Sequence, residues 1–181
     1  MNEARSSGPP IDRARAAELM EPLTDLVVEA GAAILAVNRH AMEIGGKLDG
    51  SPVTEADMAA DRIIGAGLAR LVPGVSALSE ERAHLAKSAY DGSFFLIDPL
   101  DGTKEFVAGR KEFTVNLALV VNGAPLLGII GAPALGLIWR GLVGRGAERL
   151  TMGEAGRVAE SVVGRTLPGK VHQAGIQSLT T

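Results

Sequence analysis

The 181-residue chain contains no cysteine. Disulfides and thiolate metal sites are therefore excluded, which fits a reducing, cytoplasmic setting. Histidine is almost as scarce: His40, His84 and His172 stand far apart and without ligand-like spacing. Any metal site must then be built from oxygen. A strong charge of one sign is missing too. The net charge of −3 offers no basic footprint, so a nucleic-acid partner is not expected. Nor is there an unbroken apolar run. From Phe113 to Val143 the only charge is Arg140, but Gly123, Pro125, Gly128, Gly131, Pro133, Gly136 and Gly141 interrupt the stretch. The pieces fall far short of the roughly 20 residues that a spanning helix needs. Buried strands joined by tight turns fit better. The opening MNEARSSGPP carries Glu3 and leads into no apolar segment, so residues 1–12 are expected to form a disordered tail rather than a signal.

What is present suits a globular domain with a real core, at 46% hydrophobic and 22% charged residues. Residues 13–40 carry Leu23, Leu26, Val27, Ala30, Ile34 and Val37 at helical spacing. Pro22 among them predicts a fresh helix start at its first turn. AMEIGGKLDGSPV, residues 41–53, predicts a short hairpin with Gly45-Gly46 and Asp49-Gly50 as turn candidates. A second helix opens at Thr54, which forms a capping-box pattern with Asp57. It continues through the stripe Ala56, Ala60, Ile63, Ile64, Gly67 and Leu71 and stops at Pro73-Gly74. Taken alone, Asp57 is most simply an acidic residue in a helix's first turn.

Then come a strand over VSALSEE, a loop over RAHLAKSAYDG and a strand over SFFLID. Short strands follow at about 113–121, 125–132, 136–143 and 147–151. From Gly153 onward the pattern fades. This order predicts an α+β fold, two helices layered on a mostly antiparallel sheet, in a domain over 13–152 with a weakly structured tail over 153–181.

The chemistry concentrates in SFFLIDPLDGTKEFV, residues 93–107. An apolar run ends at Asp98, and Asp101 follows across Pro99. A turn there can aim both carboxylates and the Leu100 carbonyl at one point, an all-oxygen environment suited to Mg²⁺ or Mn²⁺. Gly102 allows close backbone approach. A helix opening at Thr103 would set anion-binding amides beside the cations. VSALSEE delivers Glu80 from a second strand end, so three acids would surround one or two metals. The plainer alternative is a turn whose aspartates cap local N–H groups. The Thr103 hydroxyl and the LSEE strand weigh toward a phosphoryl-transfer site.

LSEE, DPLDGTKEF and the upstream SPVTEAD, in this order and at these intervals, resemble the inositol monophosphatase-like superfamily of Mg²⁺-dependent, lithium-sensitive phosphatases. Lys104-Glu105-Phe106 after the DGT resembles its 3'(2'),5'-bisphosphate nucleotidase (CysQ) branch. The resemblance covers about residues 20–150 and implies the layered α/β sandwich of the sugar phosphatases. It implies that Glu80, Asp98 and the Leu100 carbonyl hold a first metal, and Asp98 and Asp101 a second. The Gly102 and Thr103 amides would hold the scissile phosphate, and Thr103 with Asp57 and Glu80 would orient the attacking water. Lys47 is similar to a basic residue near the phosphate in relatives. The implied substrate is adenosine 3',5'-bisphosphate, a by-product of sulfate assimilation, cleaved to AMP and phosphate. Peripheral contact with the inner membrane is implied by resemblance only.

The chain also departs from that pattern. Relatives carry a second α/β half with a W-D-x-A-A-G helix whose aspartate completes the second metal site. Here the only tryptophan, Trp139, is followed by Arg140 and Gly141. A chain truncated at its C-terminus is the resulting expectation, with sheet surface exposed to self-association and turnover greatly reduced. An inositol or sugar phosphatase is the alternative within the class. A metal-binding remnant that acts only through chain–chain association is the alternative outside it.

Overall fold

The structure is a computed structural model that describes residues 11–39, 44–46, 52–85, 92–152 and 158–162. Helix α1, Arg13–Ala36, starts where the Asp12 carboxylate accepts the Arg15 amide at 2.7 Å. Its inner stripe buries Leu19, Leu23, Leu26, Val27, Ala30 and Ile34. Pro22 lies inside this helix rather than starting a new one. Leu19 and Leu23 are buried on either side of it and hold both halves on the core. Two residues on, the Thr24 hydroxyl donates to the Met20 carbonyl at 2.7 Å.

Strands β1, Ile44–Gly46, and β2, Pro52–Thr54, pair antiparallel with Ile44 opposite Thr54, as the hairpin expectation requires. Gly45 and Gly46 belong to the strand and not to the turn. Lys47 and Asp49-Gly50 lie outside the described residues. Helix α2, Glu55–Leu71, crosses α1 at a glycine. A Cβ on Gly67 would stand 2.2 Å from Leu26 Cδ2, so a larger residue there would require the Leu26 side chain to shift.

Seven strands follow one another across a single sheet: β3 (Ser76–Ser79), β4 (Ser93–Asp101), β5 (Thr114–Val121), β6 (Ala124–Ala132), β7 (Leu137–Leu142), β8 (Gly146–Met152) and β9 (Val158–Val162). Only β3–β4 is parallel; every other pair is antiparallel. The fold is the expected α+β type. Strand β9 falls where the sequence carried no strand signal. The β5–β6 turn is Asn122-Gly123, both at positive φ, the geometry that follows the natural twist of a hairpin.

Helices α1 and α2 cover one face of the sheet. Phe95, Ile97, Val115, Leu117, Leu119, Leu127, Ile129, Ile138 and Leu150 are buried there against the helical stripe. The opposite face carries Leu96, Ile130 and Trp139, which are 37%, 45% and 39% exposed.

Two strand ends differ from expectation. Strand β3 stops at Ser79, and Glu80–Leu85 forms a 3-10 turn instead of prolonging the strand. Strand β4 does not stop at Asp98; it runs on through Pro99 to Asp101. Pro99 is tolerated because β3 ends opposite Ile97 on one side and the register with β5 shifts between Asp98 and Asp101 on the other. Its missing N–H therefore breaks no ladder bond.

Candidate active site

The parallel register sets Ser79 beside Ile97, so Glu80, just past the end of β3, and Asp98, within β4, come at the same level of neighbouring strands. Glu80 is exposed at the start of the 3-10 turn, and Asp98 is half-buried. Across the other side of β4, Asp98 lies opposite Asn116 and Asp101 opposite Thr114. Asn116 Nδ2 donates to Asp101 Oδ2 at 3.2 Å.

After Asp101 the chain must reverse in very little space. Gly102 does this at φ 92°. A Cβ there would stand 2.8 Å from the Glu112 carbonyl oxygen and 3.2 Å from Phe113 Cα. Glycine at this position is a steric requirement. Helix α3, Thr103–Val107, opens directly after it, with the Phe106 amide donating to the Gly102 carbonyl at 2.9 Å. Phe106 meets Phe113 edge-on at 5.3 Å between ring centres, and the Arg39 guanidinium lies 4.6 Å over its ring. The short helix is thus fastened from below.

The Thr103 hydroxyl stands 3.1 Å from Asp57 Oδ1 and 3.0 Å from the Leu100 carbonyl oxygen. Asp57 is fully buried. Its Oδ2 accepts the Thr54 amide at 2.8 Å and the Thr54 hydroxyl at 2.6 Å. A buried carboxylate without such donors would be costly; here both oxygens are engaged. The capping box expected from Thr54 and Asp57 is present. The same aspartate also reaches the site through Thr103, so helix cap and functional group coincide.

Asp57, Thr103 and the Leu100 carbonyl are therefore brought together in one hydrogen-bonded group. Asp101 is tied to Asn116, the register neighbour of Asp98. Glu80 leaves the adjoining strand. Among the described residues no three Asp, Glu or His side chains stand close enough to hold a metal ion. The acids share a sheet edge without closing on one point, a separation that like charges favour. Lys47 lies outside the described residues. Asn116 and Arg39 were missed from sequence. The signal for Asn116 was its place as the one carboxamide in the apolar strand TVNLALVV.

A cavity of about 460 Å³ lies elsewhere, between α1 and the β7–β8 turn, lined by Met20, Glu21, Arg140, Arg145 and Glu148 among others. It contains none of the residues above.

Residues 16–175 match the Inositol monophosphatase family. The chain belongs to that family. Among curated family members, the 3'(2'),5'-bisphosphate nucleotidase CysQ of Escherichia coli K12 is 39% identical over 136 residues, 70% of this chain and 53% of that protein. The Salmonella typhimurium protein of the same name is 41% identical over the same span. Among solved structures, CysQ from Bacteroides thetaiotaomicron aligns with a TM-score of 0.59 at 32% identity, covering 81% of this chain and 53% of that one. Thermotoga maritima IMPase aligns with a TM-score of 0.64 at 28% identity, covering 76% and 54%. The chain thus spans about half the length of the relatives it matches. Among the described residues, no helix is long and apolar enough to cross a membrane.

Proposed function

We propose that this member of the inositol monophosphatase family is a Mg²⁺-dependent phosphomonoesterase that removes the 3'-phosphate of adenosine 3',5'-bisphosphate, giving AMP and phosphate. The observation that carries the reading is the Thr103 hydroxyl between Asp57 Oδ1 and the Leu100 carbonyl. A hydroxyl whose one proton lies between two acceptors, the carbonyl and the buried carboxylate, keeps its lone pairs for an incoming water. Thr103 therefore accepts one water proton as its own passes to Asp57. The water oxygen bonds phosphorus, the ester P–O bond breaks, and the leaving 3'-oxygen is protonated by solvent. Asp57 is fixed for this task by its two bonds from Thr54. The amides of Gly102 and Thr103, at the start of α3, hold the phosphate in line.

The donor set Glu80, Asp98, Asp101 and the Leu100 carbonyl is all oxygen, and the buried Asn116 Oδ1 beside it accepts no hydrogen bond. Such a set is chemically suited to a hard divalent cation, Mg²⁺ or Mn²⁺. When bound, the cation polarises the phosphoryl oxygens and lowers the pKa of a bound water. Lithium inhibition is the corollary expected from the family. Lys104-Glu105 and the names of the CysQ relatives favour the nucleotide over an inositol or sugar phosphate. The likeness to Thermotoga maritima IMPase supports the latter as second reading.

Phosphate release from adenosine 3',5'-bisphosphate and from inositol 1-phosphate, each with Mg²⁺, tests the reading. Turnover of the nucleotide is expected, slow beside the E. coli relative, and lowered roughly 100-fold or more in Asp57→Asn and Thr103→Ala. Preference for inositol 1-phosphate would reverse the substrate assignment. Mg²⁺ uptake without any turnover would leave the chain a metal-binding remnant.

A further inference from the structure

Asn116 adjoins the acidic edge in two ways. Its Nδ2 donates to Asp101 Oδ2 at 3.2 Å, and the β4–β5 register sets it opposite Asp98. Its other end is unusual. Oδ1 is buried and accepts no hydrogen bond, an unfavourable state for a polar group taken from water. The amide cannot simply be reversed, because a carbonyl would then face the Asp101 carboxylate. The polar side chain is therefore kept at a cost, next to carboxylates that are themselves oxygen donors. The Asp101 oxygen it holds is fixed as an acceptor from nitrogen, which leaves Asp101 Oδ1 as the oxygen available to a cation. The unpartnered Oδ1 of Asn116 needs a donor, and a water carried by a divalent cation is one.

We propose that Asn116 is the positioning residue of this edge: it selects which oxygen of Asp101 serves a divalent cation and accepts a hydrogen bond from a water on that cation. This rests on the cation reading of Glu80, Asp98 and Asp101. Residues of this kind hold ligands in place, and their loss typically lowers metal affinity 10–100-fold.

The test uses the full chain, Mn²⁺ alone as the probe in titration calorimetry, and no substrate. Asn116→Leu keeps the side chain's shape, and Asn116→Ser guards against a folding defect. Both are expected to weaken Mn²⁺ about 10-fold while the unfolding midpoint without metal stays near that of the wild type. A second arm follows the Asn116 side-chain amide protons by NMR without metal. They are expected to be well dispersed in the wild type and to collapse toward the free-amide position in Asp101→Ala. Equal Mn²⁺ affinity in wild type and both variants overturns the proposal alone. No Mn²⁺ uptake by the wild type overturns it together with the cation reading beneath it. Amide protons indifferent to Asp101→Ala refute the contact itself.

Discussion

At the scale of single residues, the site depends on one position where no side chain fits. Gly102→Ala would force an L-residue to φ 92° and press its methyl to 2.8 Å from the Glu112 carbonyl. The left-handed backbone costs about 1–2 kcal/mol. The clash adds to it, since the Glu112–Phe113 backbone cannot swing away as a flexible side chain would. A loss of about 3 kcal/mol in urea-denaturation stability is expected, with α3 and Thr103 displaced. Stability within 1 kcal/mol of wild type would show that the 101–113 corner is softer than its contacts indicate. The same scale shows what could be read from sequence. DPLDGTKEF marks Asp98, Asp101, Gly102 and Thr103 because acid, proline and glycine punctuate a strand end. Thr54 and Asp57 are legible as a cap because their spacing is local. That the free oxygen of Asp57 meets Thr103 was not legible from local spacing. The contact joins residues 46 apart and exists only because α2 packs onto β4.

At the scale of elements, the sequence errs where proline and carboxylate act through neighbours rather than through their own propensities. Pro22 and Pro99 both read as breaks, and both are absorbed, one by core burial on either side and one by a register shift. Arg140 is the clearest case of a residue whose role belongs to elements. It is the lone charge in a long apolar stretch, and its side chain is only 9% exposed. It reaches from β7 to Glu148 on β8 at 2.7 Å, and to Glu21 at 2.6 Å and Thr24 at 3.0 Å on α1. Burial works against its charge, but the bonds to Glu21 and Glu148 outweigh that and push its pKa up. The hydrogen bond from Arg140 holds the Glu21 carboxyl below its ordinary value, against burial. Arg140→Met removes the shared partner and leaves Glu148 half-buried. It should cost about 3 kcal/mol, whereas Glu21→Gln, at a carboxylate 68% exposed, should cost under about 1 kcal/mol. Because the Glu21 pKa is lowered on folding, its contribution is present above the ordinary value of 4.5 and is lost as pH falls through the lower folded value. Thermal scans from pH 6 to pH 3 should show the wild type losing more stability than Glu21→Gln; parallel curves would remove Glu21 from the network.

At the scale of the whole molecule, the strands say something that the helices do not. Strands such as APLLGIIGA and TVNLALVV are apolar on both faces, the pattern of a sheet buried on both sides. Among the described residues, α1 and α2 cover one face only. The other sets Ile130 beside Trp139 in register, with Leu96 further along, each more than a third exposed. Which face the helices take could not be read from sequence, because alternation is lost when both parities are apolar. A patch of this kind on a folded chain invites a partner, and a second copy of the same chain supplies a matching apolar face at no further requirement. The 181-residue chain is therefore expected to self-associate with rising concentration in sedimentation velocity. Trp139→Lys should shift it toward the monomer at least several-fold, because an ammonium in a sheet–sheet contact must be desolvated and its register neighbour Arg149 carries the same charge. Trp139 lies on the face away from the core and its neighbours there are Ile130 and Arg149, so the substitution should leave the far-UV spectrum and the unfolding midpoint nearly unchanged. Wild-type chain that stays monomeric across the concentration range would mean that the exposed face is tolerated in water, and the two-sided apolar pattern would need another cause.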